Sequence, residues 1–185
     1  MAETYNYTDE RGELLFQIVH SLPKCITVRQ PGPRGWITGL HGCRLALYRL
    51  PQVMQASEVF IVEGEKDVED LEQLGFVATC NPMGPKQWLP IYTEQLLGKR
   101  CYQILDPDLP GIEHGLIVGR ALQEAGIEHY IMRLPRRVDV AAFADAACTA
   151  ADLVGLMRQT VPFAASVDAL LSELAMHYFV ARRGR

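Results

Sequence analysis

Two rhythms of hydrophobic and polar positions run along this chain, and they change over near residue 58. Before it, the short β-rich runs "LLFQIVH", "CITVR" and "GWIT" alternate with the turn signals "SLPK" and "QPGPRG". Runs of that length broken by Pro and Gly predict an antiparallel meander. "YRLPQVMQA" then carries the chain through a proline into a short helix. From residue 58 strand and helix alternate. "VFIVEG" predicts a buried strand, and "EKDVEDLEQLG" a helix with Val68, Leu71 and Leu74 on one face and a stop at Gly75. "FVATC" reads as a short strand, "NPMGPKQW" as a loop, and "LPIYTEQLLG" as a helix entered through proline. "CYQIL", "IEHGLIVGRALQEAG" and "EHYIMRL" predict strand, helix and strand. After "LPRRVDV" the pattern is helical to the end, interrupted at "VPFAAS".

Strand–helix alternation with short connections implies a parallel sheet covered on both faces. The expected class is therefore α/β: a small antiparallel β meander, a parallel sheet between helices, and C-terminal helices. The natural divisions are a β-rich region 1–56, an α/β region 57–146 and a helical extension 147–185. There is no internal repeat and no low-complexity segment.

Composition narrows the class further. The 185 residues suffice for one core with appendages or for two small domains. With 49% hydrophobic and 22% charged residues, the balance is that of a soluble globular protein. No apolar run reaches the ~18–20 residues of a membrane span, and "MAETYNYTDERGE" is too polar for a signal peptide, so no membrane partner is expected. Cys25, Cys43, Cys80, Cys101 and Cys148 are odd in number and form no CxxC pair. That argues against a disulfide framework and a zinc ribbon, and fits a reducing cytoplasm.

The net charge of −4 does not point to nucleic acid, but the charge is uneven. Glu58, Glu63, Glu65, Asp67, Glu69, Asp70 and Glu72 surround a single lysine, Lys66, while the tail "ARRGR" is basic. A metal site beside a phosphate path would have this distribution, and so would a solvated helix face.

The sheet edge separates these readings. In a parallel sheet all strand C-termini lie on one edge, where ligands bind. Glu63 ends the strand "VFIV", Asp106 ends "CYQIL", and Asp108 lies two residues beyond. If the two strands are neighbours, three carboxylates converge. Like charges ~4 Å apart repel by roughly 4 kcal/mol at an effective dielectric near 20, so such a cluster needs protons or a divalent cation. Oxygen donors without His or Cys favour Mg²⁺ or Mn²⁺ over zinc. Pro107 stiffens the spacing and Gly111 relieves the turn into the next helix. Asp139, after the last strand of the sheet, falls at the same expected edge. A solvated turn that caps the following helix would also carry two aspartates, and that alternative stays open.

"VFIVEGEKD" followed some forty residues later by "ILDPDLPG" resembles the TOPRIM domain of primases, topoisomerases and some nucleases. The stretch "YRLPQVMQASEVFIVEGEKDVEDLEQLGFVATCNPMGPKQW", with "DPDLPGIEHG" and "RLPRRVDVAAF", is similar to the primase-type TOPRIM region of phage, plasmid and mobile-element replication proteins. The likeness spans roughly residues 10–160, the meander included. It implies a Rossmann-like TOPRIM fold with Glu63 as general acid/base or metal ligand, and with Asp106 and Asp108 as the metal-binding pair. Asp67 and Asp139 match further acidic positions, and Lys66 and Lys86 match basic positions near phosphates. Arg136 and Arg137 stand before Asp139 at the same expected edge. Trp88 reads as a core anchor rather than a base-stacking platform.

The resemblance implies Mg²⁺ or Mn²⁺, two ions and no zinc, with single-stranded DNA and nucleoside triphosphates as partners. His41 and Cys43 in "LHGC" are too few for a zinc site, so a replicative helicase or a separate zinc-binding primase module becomes an expected protein partner. Three functions follow from one site: nucleotidyl transfer of the primase kind, cleavage by a TOPRIM nuclease, or a non-catalytic DNA-binding or replisome-docking module.

Overall fold

The N-terminal sheet forms because its first two strands alternate apolar and polar residues. The computed structural model describes residues 2–21, 25–84, 87–135, 140 and 149–183. In it β1 (Glu3–Thr8), β2 (Leu14–Ser21), β3 (Cys25–Gly32) and β4 (Gly35–Thr38) form an antiparallel meander in chain order. Tyr5 and Tyr7 of β1 oppose Ile18 and Phe16 of β2, and all four side chains are buried. The last three strands are the ones the pattern predicts. β1 was not expected, since its "YNY" alternation is too short to stand out from a polar segment. Pairing with β2 supplies what local propensity lacks.

The second sheet has the order β6-β5-β7-β8-β9. Its strands are β5 (Glu58–Ile61), β6 (Ala78–Thr79), β7 (Arg100–Ile104), β8 (Glu128–Met132) and β9 (Val161–Pro162). The first four are mutually parallel, and β9 pairs antiparallel to β8. β9 is the expected break at "VPFAAS": the chain interrupts its helices to add a short edge strand. The class is α/β, as expected.

Successive residues of these strands point to opposite faces, and both faces are covered. Phe60, Val62, Tyr102 and Ile104 pack with Tyr7 and Phe16 of the meander and with Val68 and Leu71 of α2 (Glu65–Gln73). Val59, Ile61 and Cys101 pack against α1 (Leu50–Gln55), α3 (Pro90–Glu94) and α4 (Leu109–Glu124). One core thus runs from the meander into the parallel sheet. At the amino edge Arg100 bridges Glu58 and Glu128, each at 3.0 Å, across three strands. These exposed pairs add little stability but place paired charge at the end opposite the candidate site. Among the described residues two helices follow, α5 (Ala150–Met157) and α6 (Phe163–Arg183). No described helix is long and apolar enough to cross a membrane.

Helix α4 carries glycine at every fourth position, Gly111, Gly115 and Gly119, so one of its faces has no side chains. A β-carbon at Gly115 would meet Leu105 at 2.7 Å, and one at Gly119 would meet the Phe163 ring at 2.1 Å. That ring stacks on buried His129 and begins α6, so Gly119 sets how closely α4 and α6 approach. Ala exceeds Gly in helix propensity by about 1 kcal/mol. Gly119→Ala is nevertheless expected to lower stability by about 1–2 kcal/mol net, because the displaced ring is in close-packed surroundings. Urea denaturation of the two proteins checks this.

Candidate active site at the carboxyl edge of the parallel sheet

Strands β5 and β7 are adjacent and parallel, with Ile61 opposite Gln103. Both therefore deliver their chain to the same edge. The ladder holds the departing chains a little further, through Val62 N–H to the Thr79 carbonyl (3.0 Å) and Leu105 N–H to the Met132 carbonyl (3.2 Å). Glu63 and Asp106 come next, and helices start at once. α2 begins behind Gly64, and α4 behind Asp108, whose Oδ1 accepts a hydrogen bond from Gly111 N–H at 2.9 Å. The helix-cap reading of Asp108 is thus correct for one oxygen. Two helix N-termini face one edge, and their positive ends favour the carboxylates gathered there.

Gly111 explains how the acids fit. A β-carbon there would lie 2.7 Å from Glu63 Oε1, 2.9 Å from Asp106 Cβ and 2.6 Å from the Asp106 carbonyl oxygen. Glu63 and Asp106 therefore meet across the space a side chain would fill. Gly111 relieves the turn into α4, as expected, because a β-carbon there would meet the Asp106 backbone at 2.6 Å, and it also makes room for the Glu63 carboxylate. Gly64 plays a similar part, because Asp67 Oδ2 lies 3.3 Å from where its β-carbon would be.

The electrostatics follow from this crowding. Glu63 Oε1 is buried and has no hydrogen-bond partner among the described residues. Burial, and then the charges of Asp106, Asp108 and Asp67, push the Glu63 carboxyl up to about 8. The structure thus brings together Glu63, Asp67, Asp106 and Asp108. Lys66 pairs with Asp70 one turn along α2. Lys86, Arg136, Arg137 and Asp139 lie outside the described residues.

A divalent cation suits these donors. They are hard carboxylate oxygens, one of them buried without a partner, and cationic charge would relieve the repulsion that raises Glu63. Among the described residues no three His, Cys, Asp or Glu side chains stand drawn together as a finished metal cage.

The rest of the acidic run belongs elsewhere. Glu69 and Glu72 pair with Arg49, Tyr48 donates to Glu69, and Tyr7 donates to the buried Glu65 at 2.8 Å. These contacts fasten α2 to β1 through Tyr7 and to the segment entering α1 through Tyr48 and Arg49, so the charge density was mostly structural. Trp88 is an anchor: it packs on Tyr92 and donates from Nε1 to Thr93 at 2.9 Å.

Two neighbours went unnoticed in the sequence. Asn81 continues the row of Glu63 one strand over, since Ile61 pairs with Thr79. Its amide nitrogen donates to the Pro82 and Gly84 carbonyls, and its buried Oδ1 has no partner among the described residues. Gln103, beside Ile61, is fully buried with both amide atoms likewise unmatched. An amide inside the apolar run "CYQIL" was the available signal.

No family model matches the chain, and no curated protein matches it in sequence. Solved structures match its fold. The DnaG catalytic core has a TM-score of 0.65 at 17% identity, over 88% of this chain and 53% of that one. A DNA primase domain from Pseudomonas aeruginosa has a TM-score of 0.66 at 19% identity, over 89% and 53%. The primase fragment of the bacteriophage T7 primase-helicase protein has 0.63 at 16%, over 80% and 59%. The chain spans about half the length of these structures. In fold, from the meander through the parallel sheet to the helices after it, this chain is similar to the catalytic cores of primases.

Proposed function

We propose that this chain is a primase-type TOPRIM core that catalyses divalent-metal-dependent nucleotidyl transfer in the DNA replication of a bacterial or mobile genetic element. The observation that carries the reading is the buried, unmatched Oε1 of Glu63 held against Asp106 across Gly111, at the edge where two neighbouring parallel strands end. The primase-core fold supports it, and a DnaG primase catalytic domain of that fold was solved bound to single-stranded DNA.

Asp106 and Asp108 would hold the cation, with Glu63 and Asp67 close by and Asp139 as a further ligand. A divalent cation, or a pair, would draw negative charge from the attacking and leaving oxygens of phosphoryl transfer. Asp108 offers it Oδ2, since Oδ1 is committed to the cap of α4. Glu63, raised to about 8 without metal, would be shifted toward the carboxylate by a bound cation and so suits the role of base toward a 3′-hydroxyl. Lys66, Lys86, Arg136 and Arg137 are assigned to the triphosphate, which carries charge that water would not.

The test separates synthesis, cleavage and binding. Purified protein with Mn²⁺, labelled nucleotides and single-stranded DNA, with and without a pre-formed primer, is expected to incorporate label. Lys86→Ala is expected to weaken nucleotide binding while leaving metal binding intact. Cleavage without incorporation would make the site a nuclease, and DNA binding with neither activity would make the chain a docking module.

A further inference from the structure

The outer face of α4, opposite its glycine row, carries a surface that the proposed chemistry does not use. There α3 and α4 leave a groove of about 490 Å³ between them. Leu97, Ile117 and Leu89 line it and are 57%, 40% and 38% exposed. Exposed aliphatic side chains gathered along one groove are an unfilled hydrophobic contact rather than scattered surface residues.

The charge on the rim says what would fill it. Glu94 and Glu124 flank the apolar floor, are exposed, and make no ion pair among the described residues. Several other acids on the surface are matched, Glu58 and Glu128 by Arg100, Glu69 and Glu72 by Arg49, Glu10 by Arg44, whereas among the described residues Glu94 and Glu124 stand unmatched on either side of an apolar floor. Arg120, the cation on the exposed face of α4, does not line the groove. Two unmatched carboxylates repel nucleic acid and attract cationic side chains.

We propose that the α3–α4 groove docks an amphipathic helix of another protein, with its apolar stripe on Leu97 and Ile117 and its Lys or Arg residues at Glu94 and Glu124. This is the helix-in-groove mode, in which anchors at i, i+3, i+4 and i+7 fill an apolar channel. The groove lies outside the carboxylate site, so the inference stands apart from the function proposed above.

The probe is a synthetic helical peptide of about 15 residues, with leucines at that anchor spacing and lysines between them. Its counterpart has glutamates in place of the lysines. Fluorescence anisotropy on the full chain is expected to show saturable 1:1 binding of the lysine peptide and none of the glutamate peptide. Leu97→Asp should weaken binding by at least about tenfold, and Glu94→Lys with Glu124→Lys by a similar factor that shrinks with added salt. Leu171→Asp, at an exposed apolar position on α6, should leave it unchanged. Both groove variants alter exposed side chains, and equal melting temperatures would show that they fold. Undiminished binding to Leu97→Asp, or equal binding of both peptides, would overturn the proposal. So would a dimer of the chain alone that Leu97→Asp dissociates, because the occupant would then be a second copy.

Discussion

Replacing Asp106 and Asp108 together by asparagine is expected to reduce metal-dependent nucleotide incorporation by about a hundred- to a thousandfold or more, the scale seen when charge stabilisation is removed at a reacting phosphate or carbonyl. The same variant should lose the rise in melting temperature that Mg²⁺ or Mn²⁺ gives the parent. At one hundred times its dissociation constant a cation that binds only the native state adds about 2.7 kcal/mol. Fold damage can be kept out of this result. Asparagine at position 108 retains an amide oxygen that can accept from Gly111 N–H, so the cap of α4 survives. Asp108→Ala would lose that bond as well, at about 1 kcal/mol. Without metal, the double asparagine variant should be at least as stable as the parent, since two charges that oppose Glu63 ionisation are gone. Thermal melts with and without cation decide the matter, and an undiminished metal response in the variant would remove both residues from the site.

Glu63 should tie stability to pH in a direction opposite to that of an ordinary surface carboxylate. Its folded-state carboxyl titrates at about 8 against an unfolded value of 4.5. Below 4.5 both states are protonated and the residue contributes no pH dependence. Between 4.5 and about 8 the unfolded chain has released the proton and the folded chain keeps it, so stability declines as pH rises and levels off above about 8. The residue is only partly buried, so screening by water reduces the loss to about 1–2 kcal/mol. A bound divalent cation favours the carboxylate form. Its stabilising effect should therefore grow across the same window, with protons released on binding. Glu63→Gln keeps the shape and removes the titration. Melting temperatures from about pH 5 to 9 should slope downward for the metal-free parent and run flatter for the variant. Equal slopes would mean that Glu63 is not the titrating group.

Much of the site could be read without coordinates, for identifiable reasons. Strand–helix alternation forces parallel strands, and parallel strands end on one edge, so Glu63 and Asp106 were bound to share an edge. What alternation does not specify is which strands are neighbours. The order β6-β5-β7-β8-β9 sets β5 beside β7, and only that adjacency brings Glu63 to Asp106. Gly111 shows the same division: the turn from Asp106, legible in "DPDLPG", already asks for a glycine there, and the Glu63 carboxylate, 48 positions earlier in the chain, supplies the second reason.

Charge was the least legible property. The dense acids between Glu58 and Glu72 resemble a single patch in sequence. In three dimensions they part into Glu58 at the amino edge, the acids that tie α2 to Tyr7 of β1 and to Arg49 before α1, Asp70 paired with Lys66 along α2, and the two that reach the site, Glu63 and Asp67. Linear charge density records how many charges a segment has. Helix and strand geometry decide which face each occupies, and the partners on those faces come from distant segments. By itself the sequence determined the element types, the two covered faces of the sheet and the edge at which the carboxylates stand, because these depend on periodicity and chain direction. Tertiary structure alone decided strand order, the β1 and β9 edge strands, and which acids are neutralised, because each depends on a partner far away in the chain.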